Sequence, residues 1–125
     1  MFNSVLAVGV GAALGAWLRW LANIKLTPLL HSVALGTLTV NLIGGYLIGV
    51  AAEVFLLRAD TPPEWRLFII TGFLGGLTTF SSFSGEVVGL LLQNRVGPAL
   101  ATITLNLCGS LIMTWLGIVT IQSLR

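Results

Sequence analysis

The segment Thr71-Gly-Phe-Leu-Gly-Gly-Leu-Thr-Thr-Phe-Ser-Ser-Phe-Ser-Gly-Glu86 sets two adjacent glycines, Gly75 and Gly76, ahead of the hydroxyl residues Thr78, Thr79, Ser81, Ser82 and Ser84. Phe80 and Phe83 stand among those hydroxyls. The segment interrupts an apolar stretch, from about Leu67 to Leu92, that is otherwise long enough to cross a bilayer. Glycine frees the backbone, and hydroxyl side chains can satisfy the amides and carbonyls that a broken helix exposes. In hydrocarbon, such a break is tolerated only where protein buries it or where it lines a polar cavity. The stretch therefore reads as a discontinuous membrane helix beside a permeation or binding site.

Composition agrees with a membrane setting. Hydrophobic residues make up 56% of the 125 positions and charged residues only 8%, whereas a soluble domain carries roughly 25% charged residues. The mean hydropathy is +1.01. Such a chain could not cover its exterior with polar groups, and at this length it reads as one domain, residues 1–125. The single Cys108 excludes an intrachain disulfide and a multi-cysteine metal site. Within its apolar run it reads as a small packed hydrophobe. His31, also alone, falls in an expected loop. Six basic residues against four acidic ones are thinly spread, with no basic patch for nucleic acid. The amino end lacks a basic region and a small-residue cleavage site, so the first apolar stretch reads as a permanent span.

Four stretches reach the ~20 residues that a ~30 Å hydrocarbon core requires. They run from about Phe2 to Leu21, Val33 to Leu57, Leu67 to Leu92 and Gly97 to Ile121. The connections hold Pro28, Pro62-Pro63, and Asn94-Arg95 with Gly97-Pro98. Pro63 followed by Glu64 has the form of a helix start. Four spans put Arg58, Arg66 and Arg125 on one side, and Arg19, Lys25 and Arg95 on the other. Orientation follows Lys/Arg imbalance, and here the two sides are equal. Insertion is weakly specified, or the chain inserts both ways.

Polar residues within the spans line up at helical spacing. Thr37 and Asn41 are four apart with Thr39 offset, and Thr102, Asn106, Ser110 and Thr114 recur every four residues. Any one hydroxyl can simply bond the carbonyl one turn back. Together with Asn41 and the hydroxyl-rich break they predict a polar pathway. No acid or base sits near the centre of the first, second or fourth span, unlike a proton-coupled carrier. What remains are neutral donors, which suit an anion losing its hydration shell. Phe80 and Phe83 add ring edges of positive potential. The half-helix ending near Gly76 presents carbonyls and a negative dipole end suited to a cation. No nucleophile–base or metal constellation points to an enzyme. Glycine pairs such as Gly11/Gly15 and Gly45/Gly49 read as close helix contacts.

With these residues in place, the chain resembles the Fluc (CrcB) family of fluoride channels. The matching pieces are Gly11-Ala-Ala-Leu-Gly-Ala-Trp-Leu-Arg19, Gly36-Thr-Leu-Thr-Val-Asn-Leu-Ile-Gly-Gly45 and Gly72 to Glu86. Val10-Gly11 departs from the Gly-Gly pair frequent there. The resemblance implies an all-α membrane protein of four helices, the third broken in mid-membrane, forming an antiparallel homodimer with two fluoride pores. It implies passive efflux of cytoplasmic fluoride across the bacterial inner membrane. Asn41, Phe80 and Phe83 would line the path, with Thr39, Ser81, Ser84, Ser110 and Thr114 as a hydroxyl track. Arg19 and Glu86 would sit toward the aqueous ends. Backbone carbonyls of Gly75 and Thr78, from both subunits, would hold a structural sodium ion. Opposed insertion would set two breaks against each other on a two-fold axis. A small dual-topology multidrug exporter and a non-transporting membrane subunit are the alternative readings; the first needs a carboxylate that the first span lacks.

Overall fold

The computed structural model describes residues 1–29 and 33–125; His31 lies outside them. Among the described residues every regular element is helical. Helix α1 spans Phe2–Leu26 and passes into a short 3₁₀ turn, Thr27–Leu29. Helix α2 spans Leu35–Leu57. The third span begins as α3, Pro63–Arg66, winds on as a π-helical segment, Leu67–Leu74, and closes with α4, Gly75–Leu77. Helix α5, Phe80–Leu92, and α6, Val96–Ser123, complete the chain. Four stretches, Phe2–Leu29, Leu35–Leu57, Pro63–Leu92 and Val96–Ser123, are long and apolar enough to cross a membrane. The fold is that of a multi-pass membrane protein.

The boundaries follow local chemistry. Helix α1 continues well beyond Leu21, because nothing from Ala22 to Leu26 breaks a helix; Pro28 is the first residue that would. Pro63 does occupy the first turn of its helix, where its missing N–H costs nothing. For the same reason Pro98 lies inside the first turn of α6 rather than in the loop before it. Asn94 turns the chain between α5 and α6 with φ of 59°, and the Arg95 amide then closes onto the Leu90 carbonyl at 2.9 Å.

Packing inverts the soluble pattern. The largest fully buried side chains are Thr37 and Thr102, while Trp17, Trp20, Phe80, Trp115 and many leucines are exposed. With hydrocarbon outside, large apolar groups gain nothing by turning inward, and small residues that let backbones approach take the contacts. Cys108 is exposed rather than packed, on an outer face it shares with Leu105 and Ile112.

Two glycine seams result. Along the first, α1 lies on the third span: a Cβ on Gly15 would stand 2.7 Å from the Leu77 amide nitrogen, one on Gly76 2.5 Å from the Ala12 carbonyl, and one on Gly72 2.7 Å from the Val8 carbonyl. Along the second, α2 lies on α6: a Cβ on Gly45 would meet the Ser110 carbonyl at 2.9 Å and one on Gly117 the Val50 amide at 2.9 Å. None of the described glycines has positive φ. Gly76 is there for close approach, not for the backbone freedom its place beside the break suggests. Between the seams, Val40, Leu74 and Leu77 form a small apolar core, joined by Ala22, Leu47 and Phe73.

Candidate functional site

The helical path of the third span stops at Leu77 and restarts at Phe80. Thr78 (φ −86°, ψ 158°) and Thr79 (φ −151°, ψ 123°) are extended between them. Two residues out of helical register leave backbone groups without their usual partners, and several of these are met by side chains. Thr79 caps α5, its hydroxyl accepting the Ser82 amide at 3.1 Å, and the Ser81 hydroxyl lies 3.3 Å away. Thr78 bonds back to the Leu74 carbonyl through both its amide (3.0 Å) and its hydroxyl (2.9 Å).

Asn41 on α2 holds the break. Its Oδ1 accepts the Thr79 amide at 2.8 Å, and its Nδ2 donates to the Thr79 carbonyl at 3.1 Å. The amide thus stands in for a neighbouring strand, pairing both backbone groups of one extended residue. Nδ2 also donates to Asn106 Oδ1 at 3.0 Å. Because the Thr79 amide goes to Asn41, the Gly75 carbonyl four residues earlier does not receive it, as it would in a continuous helix.

Beside this clamp lies an open-sided groove of about 410 Å³, whose lining includes Asn41, Gly75, Thr78, Thr79, Phe80, Asn106 and Ser110. Apolar walls with a few convergent polar groups are the usual make-up of a binding site. Phe80 is 76% exposed, and its ring meets Phe83 edge to face with centroids 5.5 Å apart.

A family sequence model described as "CrcB-like protein, Camphor Resistance (CrcB)" matches residues 6–118. The chain belongs to the CrcB family. Its relatives include the fluoride-specific ion channel FluC of Burkholderia pseudomallei (strain 668), 56% identical over 123 residues, covering 98% of this chain and 96% of that one. The protein of the same name from Burkholderia thailandensis is 56% identical over the same coverage. That of Burkholderia cenocepacia (strain HI2424) is 55% identical.

In this CrcB-family chain, the expected site residues divide by position. Asn41, Phe80, Ser110, Gly75 and Thr78 converge on the groove, Phe83 reaches it through Phe80, and Ser81 through Thr79. Thr39, Ser84 and Thr114 do not line it. The Thr114 hydroxyl instead bonds the Ser110 carbonyl one turn back at 3.0 Å, and Thr102 does the same to Pro98 at 2.8 Å. Ser110 reaches across to the Asn41 carbonyl at 3.4 Å. Glu86, on α5, is half-buried: one carboxylate oxygen accepts the buried Thr37 hydroxyl at 2.6 Å, and the other is buried with no partner among the described residues. Two participants escape a reading of residue types. Thr79 acts through its backbone, signalled only by its place just ahead of α5. Asn106 is visible in the four-residue stripe but shows its contact only once α2 and α6 are packed.

Arg19 works on the break from α1. Its Nε donates to the Gly76 carbonyl at 3.0 Å, placing a cation at the negative end of the half-helix that finishes at Leu77. A charge-assisted bond of this kind is worth about 1.5–3 kcal/mol. Arg19→Met keeps the apolar stem and removes the donor. Its unfolding free energy in detergent is expected to fall by that order, while that of Lys25→Met, at an exposed position, stays within about 0.5 kcal/mol of the parent.

Proposed function

We propose that this chain is a fluoride-selective ion channel through which cytoplasmic fluoride leaves a bacterium passively across its inner membrane. The observation that carries the reading is the Asn41 clamp on Thr79, an uncharged hydrogen-bonding break set against Phe80, in a chain 56% identical to a fluoride-specific channel along nearly its whole length. Permeation without proton coupling fits a groove whose polar lining is amide and hydroxyl. A dehydrating anion would find N–H and O–H donors on one side and a phenyl edge on the other.

The functional unit in this reading is an antiparallel homodimer with two pores. An open-sided groove and a 76% exposed Phe80 call for a covering surface. Gly75 points the same way: a Cβ there would meet nothing closer than the Ile70 carbonyl at 3.7 Å, so its own chain does not require glycine. A twin approaching on the two-fold axis would. The carbonyls of Gly75 and Thr78 are neutral, hard oxygen donors at the end of a half-helix, and doubled by symmetry they suit sodium. That ion would supply a fixed positive charge at the dimer centre.

Fluoride efflux from liposomes tests the reading. Purified protein in potassium fluoride-loaded vesicles is expected to release fluoride when a potassium ionophore is added, with no pH gradient required and with chloride retained. Omitting sodium on both sides is expected to slow that release. Proton-coupled uptake of a cationic drug would replace this reading by an exporter, and absence of any flux by a non-transporting subunit.

A further inference from the structure

Asn106 is 4% exposed, and its amide is wired to groups whose hydrogen-bonding sense cannot change. The Thr102 carbonyl only accepts, so Asn106 Nδ2 must face it, at 3.0 Å. That turns Asn106 Oδ1 toward Asn41, which must then present Nδ2, at 3.0 Å. Asn41 Oδ1 is left for the Thr79 amide, which only donates, at 2.8 Å. Started from Thr79, the same steps give the same orientations. The relay from Thr79 through Asn41 and Asn106 to Thr102 has one polarity, fixed at both ends by backbone.

The tally of hydrogens adds a constraint. Asn41 Nδ2 carries two, one given to the Thr79 carbonyl and one to Asn106. The Asn41 amide has none to spare for an anion in the groove. To offer one, it must release a partner. Releasing Thr79 would undo the two-point clamp that holds the break; releasing Asn106 opens a single bond and keeps both bonds to Thr79, though the amide that makes them is then less firmly held.

We infer that Asn106 is a positioning residue: its side-chain oxygen fixes the Asn41 amide on Thr79 and is the partner Asn41 exchanges for a passing anion. The transport half of this rests on the channel reading; the positioning half does not. Two measurements keep them apart. Hydrogen exchange at the Thr79 amide, read by NMR in detergent micelles, reports whether Asn41 is held. Fluoride efflux from liposomes reports transport.

Asn106→Leu, of similar volume and without an acceptor, is expected to raise Thr79 amide exchange about tenfold, the change that ~1.4 kcal/mol of lost bonding produces. Its fluoride efflux is expected to fall at least as far. Asn106→Asp keeps an oxygen for Asn41 but turns its other oxygen on the Thr102 carbonyl, 3.0 Å from the present Nδ2, so Thr79 exchange is expected to rise less than in Asn106→Leu. Its efflux is still expected to fall, because a carboxylate opposes an anion. Asn106→Ala is read in the same way as Asn106→Leu should that variant not fold. Parental Thr79 exchange in the leucine and alanine variants overturns the proposal, whatever their efflux. Raised exchange in a chain whose parent passes no fluoride leaves the positioning role standing and removes the channel reading.

Discussion

Asn41→Asp is expected to abolish fluoride efflux, by about 100-fold or more, an increase of at least ~2.7 kcal/mol in the barrier. The substitution changes one nitrogen to oxygen, yet it reverses both donations that Asn41 makes. Oxygen would then face oxygen at the Thr79 carbonyl and at Asn106 Oδ1, now separated from Nδ2 by 3.1 and 3.0 Å. A carboxylate would also bring negative charge to the groove proposed as the fluoride path. Asn41→Ala separates these effects: it removes the clamp without adding charge, and is expected to loosen the Thr79 amide while retaining more flux than the aspartate. Phe80→Ile and Phe83→Ile, which replace ring edges by aliphatic groups, are expected to lose flux in the same assay with the fold intact. Parental rates in Asn41→Asp, Phe80→Ile and Phe83→Ile together would remove the groove from the path.

The second large effect is on folding. Gly15→Ala adds one methyl group, and that carbon would fall on the Phe73 carbonyl and stand 2.7 Å from the Leu77 nitrogen. Both neighbours are backbone in a packed helix, so neither can turn aside as a side chain would. Overpacking commonly costs 1–3 kcal/mol, and a backbone-on-backbone clash belongs at or above the top of that range, roughly 3 kcal/mol. The expected outcome is loss of folded protein after extraction, measured by thermal unfolding in detergent. Gly76→Ala, against the Ala12 carbonyl, should behave alike. Gly9→Ala, Gly85→Ala and Gly89→Ala meet nothing within 4 Å and should gain a few tenths to about 1 kcal/mol from helix propensity. If all five substitutions gave the same midpoint, the close approach of α1 to the third span would be wrong.

The four apolar stretches and their punctuation were legible because hydrocarbon length and helix-breaking residues are one-dimensional properties. Pro63 marked a start because a proline needs no N–H partner in a first turn. The end of α1 was less legible, since Arg19 and Lys25 look like a boundary by polarity although neither ends a helix. Neither residue type nor spacing announces the π-helical winding of Leu67–Leu74. Of the site, Asn41 stood out because an amide deep in an apolar helix is costly unless bonded. The roles of Thr79 and Asn106 were hidden, because one acts through backbone atoms that every residue has and the other through a contact between distant helices. Thr114 shows the converse: it fell in the polar stripe, but its hydroxyl is satisfied within its own helix.

A seam of glycine against backbone has no rotamers at the contact. Along Gly11, Gly15, Gly72 and Gly76, the spacing between α1 and the third span is fixed by main-chain atoms, which do not hop between wells as leucines do. Arg19 and Asn41 pin the same span at Gly76 and Thr79. The wall that carries the break is therefore set off from α1 by main-chain contact, so a change of rotamer among the exposed leucines and tryptophans leaves that spacing as it is.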